Sequence, residues 1–165
     1  RINLKYLTGL LNSKLIAFWL RSKGKMQGNA YQLDKEPLLE IPIYKPDEKY
    51  SDKFSLIVDY IIFLKAQSFN DVIDQLMPTY FEQVIDGMAY ELYFPELLKK
   101  HNREIIKHLG ELPEFSSKTN EKEKMLICKE VFQRLDEKNH PVRTNLFYMS
   151  SIPEIKIIEG KNESN

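Results

Sequence analysis

Cysteine is almost missing: Cys128 is the one thiol in 165 residues. A lone thiol excludes a disulfide framework and a cysteine-built zinc site, and it fits a reducing cytoplasm. Glycine is scarce, at six residues. Gly24 and Gly28 follow a helical pattern rather than a strand, so no glycine loop is placed to cradle a phosphate. Long apolar runs are absent, and a membrane span needs about 18 such residues. The best candidate, Ile57 to Leu64, is short and contains Asp59, so no membrane association is expected. An excess of either charge is missing as well, with 24 Lys plus Arg against 24 Asp plus Glu. That balance argues against a simple polybasic nucleic-acid binder and leaves room for a local basic patch.

What remains is the composition of a folded chain, 42% hydrophobic and 29% charged. The length suits one domain, or one and a fraction, with a real core. The chain opens at Arg1 and runs directly into Leu4, Leu7, Leu10 and Leu11. A chain that begins on apolar periodicity is expected to be part of a longer polypeptide. Charge is segregated along it. Arg1, Lys5, Lys14, Arg21, Lys23, Lys25 and Lys35 face only Asp34 in residues 1–35. Residues 66–98 hold no Lys or Arg, but carry Asp71, Asp74, Glu82, Asp86, Glu91 and Glu96. Anionic partners should approach the basic head, and the acids are read as mostly solvated faces of amphipathic helices.

Leu4, Leu7, Leu11, Leu15, Phe18 and Trp19 recur at helical spacing, which predicts a helix over about 3–21. Arg21 to Gly28 breaks it. Tyr31 to Tyr44, with Gln32, Asp34 and Glu36 alternating with Leu33 and Lys35 before Leu38 to Ile43, is expected to form a short strand or two, crowded by Pro37, Pro42 and Pro46. Residues 46–52 are a polar linker, and Ser51 can cap a helix carrying Phe54, Ile57, Val58, Ile61 and Leu64. Asn70 or Asp71 caps the next, in which Pro78 either kinks or ends the pattern. A helix restarting at Phe94-Pro95 is expected to reach Leu109 and stop at Gly110. Thr119 or Asn120 caps a helix ending near His140-Pro141. Residues 152–158 alternate like a short strand.

Complete active sites are not found. Ser116, Ser117, Ser150 and Ser151 lack a glycine-framed elbow, and Cys128 reads as a buried, inert thiol. His101, Glu104 and His108 could share a helix face, but the spacing is not that of zinc motifs with His at i and i+4. The stretch Arg21 to Gln32 is different. It gathers Arg21, Lys23, Lys25, Gln27 and Asn29 around Tyr31. Lys and Arg reach phosphates, while Asn and Gln pair with adenine edges.

The string Tyr6-Leu7-Thr8-Gly9-Leu10-Leu11-Asn12-Ser13-Lys14-Leu15-Ile16-Ala17-Phe18-Trp19-Leu20, followed by Gly24 to Gly28 and Leu38 to Ile43, resembles a segment of restriction-modification proteins. It is similar to the TaqI-like C-terminal specificity domain of adenine-N6 DNA methyltransferases and of fused restriction-methylation enzymes. Phe81 to Pro95 also resembles the helical tail of the fused proteins. The resemblance implies DNA target recognition beside an upstream methyltransferase domain. That domain would bind S-adenosylmethionine and flip the target adenine. The catalytic (N/D)PP(Y/F) string and the glycine-rich cofactor motif of that family do not occur here. The chain is therefore expected to be catalytically silent and to bind no cofactor itself. Asn12 and Ser13 are read as holding backbone groups, and Leu10, Leu11 and Leu15 as core.

The expected fold is α+β and predominantly α: a helical bundle with a small β element near residues 30–45. The expected divisions are 1–45 as a remnant of a target-recognition domain, 46–160 as a helical module and 161–165 as a disordered tail. The expected DNA-binding residues are Arg21, Lys23, Lys25, Gln27 and Asn29, on double-stranded DNA. An alternative is a helical interaction module, or homodimer, without DNA contact.

Overall fold

A computed structural model describes residues 2–23, 25–27, 30–32 and 35–161. The fold is all-α, which corrects the expected α+β class and its β element near 30–45. Residues 35–39 form a short helix, α3 (Lys35–Leu39), and 40–47 run on without a ladder partner. Pro37, Pro42 and Pro46 remove the amide donors a strand would need there. The β structure among the described residues is a hairpin of two three-residue strands, β1 (Lys25–Gln27) and β2 (Ala30–Gln32). A hairpin of that size supplies no sheet layer. The tail expected to be disordered lies, from 162 onward, outside the described residues.

The helix expected over 3–21 is two helices, α1 (Leu4–Leu11) and α2 (Lys14–Lys23). Ser13 makes the break. Its buried hydroxyl donates to the Leu10 carbonyl at 2.7 Å and accepts from the Ile16 amide at 3.4 Å, ending one helix and capping the next. The Asn12 amide donates to the Thr8 carbonyl. Leu10 and Leu15 are core, whereas Leu11 is 38% exposed.

Asp47, rather than Ser51, caps α4 (Glu48–Lys65), accepting from the Tyr50 amide. Asp71 caps α5 (Val72–Tyr93), which continues through Pro78. Helix α6 (Pro95–Lys100) ends early. The Glu91 carboxylate accepts from the amides of Ile105 and Ile106 at 2.7 and 3.0 Å, and Asn102 takes the left-handed conformation at φ 54°. Those bonds satisfy the amides outside a helix, so the pattern expected to reach Leu109 is broken. A capping box of Asn120 and Glu123 opens α7 (Glu121–Leu135). His140 caps α8 (Pro141–Met149) through Nδ1, which accepts from the Val142 amide. The strand expected at 152–158 is helix α9 (Pro153–Ile158). Ile152, Ile155 and Ile158 are buried at a spacing of three, and Pro153 sits in the first turn, where its missing donor is harmless.

Helix α5 is central and packs on α1, α2, α4, α6, α7 and α8. Two glycines permit close approaches, one on α5 and one between α1 and α4. A Cβ at Gly87 would lie 2.7 Å from Leu146 on α8 and 2.8 Å from Ile105. One at Gly9 would lie 2.6 Å from both Phe54 and Val58 on α4. Tyrosines fasten the extended segment: Tyr6 donates to the Tyr44 carbonyl and Tyr93 to the Pro42 carbonyl, each at 2.7 Å. No helix of the described residues is long and apolar enough to cross a membrane.

A buried carboxylate ties α2 to α5. Asp86, 7% exposed, accepts from the Lys14 amide at 2.8 Å, at the start of α2. The Lys14 ammonium lies 3.8 Å from Asp86 and 3.6 Å from Glu159, which ends α9. Tyr90 donates to Glu159 at 3.3 Å, and Lys161 pairs with it at 2.7 Å. Burial raises the Asp86 carboxyl to about 6, against the pull of the Lys14 amide and ammonium.

Two predictions concern this packing. Alanine for glycine inside an open helix stabilises by about 1 kcal/mol. At Gly87 and Gly9 the added methyl overpacks, and a loss of about 1–3 kcal/mol is expected instead. Thermal melts of Gly87→Ala and Gly9→Ala should fall below the wild type; a rise in either would contradict the close approach. Asp86 binds its proton more tightly folded than unfolded, so its contribution is most favourable at acid pH. It declines as pH rises from about 4 through about 6. Asp86→Asn keeps an acceptor for the Lys14 amide and removes the titration. In urea unfolding, the stability of wild type minus that of Asp86→Asn should fall by about 2 kcal/mol between pH 4 and pH 7, most of what a shift of about two pKa units implies. A difference that does not change with pH would refute it.

Candidate functional site

Arg21 and Lys23 stand exposed on the last turn of α2, the end opposite the Asp86 cap. Leu15 and Ile16 bury the inner face of this helix, and Phe18, Trp19 and Leu20 pack partly against the core. The helix is therefore anchored on one face and at its start, and it delivers its two cations outward. Both also oppose the negative pole of the helix, a stabilising job by itself. They turn to different neighbours. The Arg21 guanidinium reaches the Ile158 carbonyl at 3.4 Å, at the end of α9. The Lys23 ammonium lies over the Trp19 ring, 5.9 Å from its centre.

The chain then enters the hairpin. Lys25 and Gln27 are positions of β1, paired in register with Gln32 and Ala30. Asn29 lies outside the described residues. The structure thus places four of the five expected DNA-contacting residues on one short run, from the last turn of α2 into β1. What it offers chemically is a helix end with two exposed cationic side chains.

The other sequence candidates separate. His101 follows the end of α6 and His108 lies in the 3-10 turn Ile106–His108, so the helix face they were to share does not exist. No group of three or more His, Cys, Asp or Glu fit to hold a metal occurs among the described residues. Burial pushes the Cys128 thiol up to about 12, the opposite of what a nucleophile needs. Burial, and then the nearby Arg134 and His108 charges, lowers the His140 imidazole; this suits its role as a helix cap. Burial likewise raises the Tyr6, Tyr50 and Tyr60 hydroxyls, each of which donates to a backbone carbonyl. These groups hold the fold.

Two features escape the sequence reading. The acids of 66–98 are not all solvated: Asp86 is buried and Glu91 is half-buried, and both accept backbone amides. The signal for Asp86 is its place between Ile85 and Gly87, flanked by Val84, Met88 and Ala89. Helix α8 has no clear apolar stripe, and its exposed Phe147 and Tyr148 carry no motif.

No protein-family model matches the chain, and no solved structure matches it. Curated proteins do. Over 148 residues, 87% of this chain, it is 28% identical to a protein of Methanocaldococcus jannaschii with the provisional name of type II restriction enzyme and methyltransferase RM.MjaORFECS2P. Over 45 residues, 27% of this chain, it is 36% identical to the type II methyltransferases M.HincII and M.HindII of Haemophilus influenzae. The matches span 12% of the first relative's length and 9% of each of the others. The chain is related in sequence to type II restriction-modification proteins, at about a tenth of their length.

Proposed function

We propose that this chain is the target-recognition and C-terminal helical part of a restriction-modification adenine-N6 DNA methyltransferase, and that it is catalytically silent by itself. The observation that carries the reading is the tip of α2. The helix of the Leu-Asn-Ser string is capped by a buried carboxylate at one end and presents Arg21 and Lys23 to solvent at the other. The similarity to methyltransferases supports the same reading.

In this proposal Arg21, Lys23 and Lys25 neutralise phosphates, while Gln27 and Asn29 read adenine edges in the major groove. An upstream methyltransferase domain supplies S-adenosylmethionine, the methyl donor, and extrudes the adenine. This chain has no glycine-rich strand-to-helix turn and no (N/D)PP(Y/F) string. Its residues do not fit that cofactor, and methyl transfer falls to the upstream domain. The helices from α4 onward give the tip a rigid base.

A second reading is an interaction or dimerisation module without DNA contact. Val72, Ile73 and Leu76 favour it, at 70%, 63% and 55% exposed, in the stretch that holds acids and no Lys or Arg. Such a surface repels phosphate.

Duplex binding measured by fluorescence anisotropy decides between them. The proposal expects weak binding that falls as salt rises, because counterions are released on contact. It expects Lys23→Glu/Lys25→Glu to lose about tenfold or more in affinity, as reversing two phosphate contacts should. Duplex affinity unchanged in the double variant, or mass that grows with concentration while no DNA binds, would favour the interaction module.

A further inference from the structure

We propose that the cleft between α5 and α8 is a nucleotide site, taking one nucleobase with its phosphate. The base would come from a free nucleotide or from an unpaired position of a DNA strand. The cleft holds about 580 Å³ between α5, α8, the turn after α7 and the end of α9, a size at which proteins hold small ligands. It is remote in sequence from the basic tip, and it does not require that reading.

The lip of the cleft carries the argument. Helix α8 buries Val142, Asn145 and Met149 and leaves Phe147 72% and Tyr148 50% exposed. The helix is fixed in place, because Asn145 donates to the Glu104 carbonyl at 2.7 Å and Leu146 sits against Gly87. The two rings are therefore held out to water by a rigid support. They meet edge to face at 5.2 Å, and the Arg103 guanidinium covers Tyr148 at 5.0 Å. Phe147 is the ring left for a base to stack on, and stacking is indifferent to base identity.

The polar lining fits the rest of a nucleotide. Lys138 lines the cleft and has no ion pair among the described residues; it is the phosphate contact. Asp136, held 3.6 Å from Arg143, is placed to accept an exocyclic amino group. Tyr80 also lines the cleft, and its buried hydroxyl has no hydrogen-bond partner among the described residues. A buried hydroxyl left unpartnered asks for an explanation. Charges of both signs in one cleft argue against a duplex backbone, which wants a run of cations. They suit a ligand with one phosphate and several amino or hydroxyl donors.

The test uses the full 165-residue chain. A fluorescein-labelled single-stranded twelve-mer of mixed A and T is titrated by anisotropy, and dAMP is titrated by calorimetry. Phe147→Ala is expected to weaken strand or nucleotide binding about tenfold or more, the scale of one lost base stack. Lys138→Glu should weaken it too, and Phe147→Tyr should retain it. Phe147 is mostly exposed, so thermal melts should be unchanged. Binding of dAMP assigns a free nucleotide, and binding of the strand alone assigns an unpaired base. The proposal is overturned if the wild type binds neither, or if Phe147→Ala binds as well as the wild type. It is also overturned if Phe147→Ala abolishes only self-association, which would make the lip a protein interface. Lys23→Glu/Lys25→Glu should lose duplex binding and keep dAMP binding and the tenfold effect of Phe147→Ala, so the two readings fail separately.

Discussion

A carboxylate withdrawn from water at the start of α2 is the constraint on which the arrangement rests. Burying Asp86 is unfavourable by itself, and the Lys14 amide and ammonium offset that. The amide is one of the donors a helix start always leaves orphaned. One contact therefore solves two problems, and it joins residues 72 positions apart. Because a hydrogen bond to an ion is directional, it also fixes where α2 begins and so where its far end emerges. Glu159 extends the same cluster to α9 through Lys14 and Tyr90.

Around that cluster, α5 works as the axis. Ala89, Met88 and Val84 are fully buried within it, and Gly87 lets α8 approach it closely. Dense packing of this kind makes rigid platforms rather than moving parts. Both proposed contacts are features of such a platform. The α2 tip is presented by a helix anchored at its start, and the α8 ring pair by a helix locked against α5. The first asks for phosphates and groove edges. The second asks for a single flat ring. The two differ in charge pattern as they differ in place, the tip purely cationic in its described side chains and the cleft mixed.

Periodicity carried most of the architecture. The buried stripes of α4, α5 and α7, and the caps Asp71 and Asn120, are all readable from spacing and cap chemistry. The failures have local physical causes. The break at Ser13 depends on a hydroxyl bonding both ways, which no hydrophobic pattern encodes. The early end of α6 depends on Glu91 capturing two amides from a segment fourteen residues on. At 152–158, isoleucines suit both periods over so short a stretch. Burial of Ile152, Ile155 and Ile158 together selects the helix. Of the β element expected near 30–45, only Ala30–Gln32 pairs, in the three-residue hairpin; beyond it three prolines deny 37–46 the donors of a ladder.

By itself, the sequence determined that this is a helical chain with a lone inert thiol, a basic head and an acidic middle. It also carries the Leu-Asn-Ser string by which it resembles restriction-modification proteins. Those properties follow from composition and short-range spacing, which are local. Tertiary structure alone decided that Asp86 caps α2, that Arg21 reaches α9 while Lys23 lies on Trp19, and that α8 turns two aromatic rings outward over a cleft. Each of these joins residues far apart in the chain, or depends on which face of a helix finds a partner. A one-dimensional pattern does not specify that choice; the packing of the whole core does.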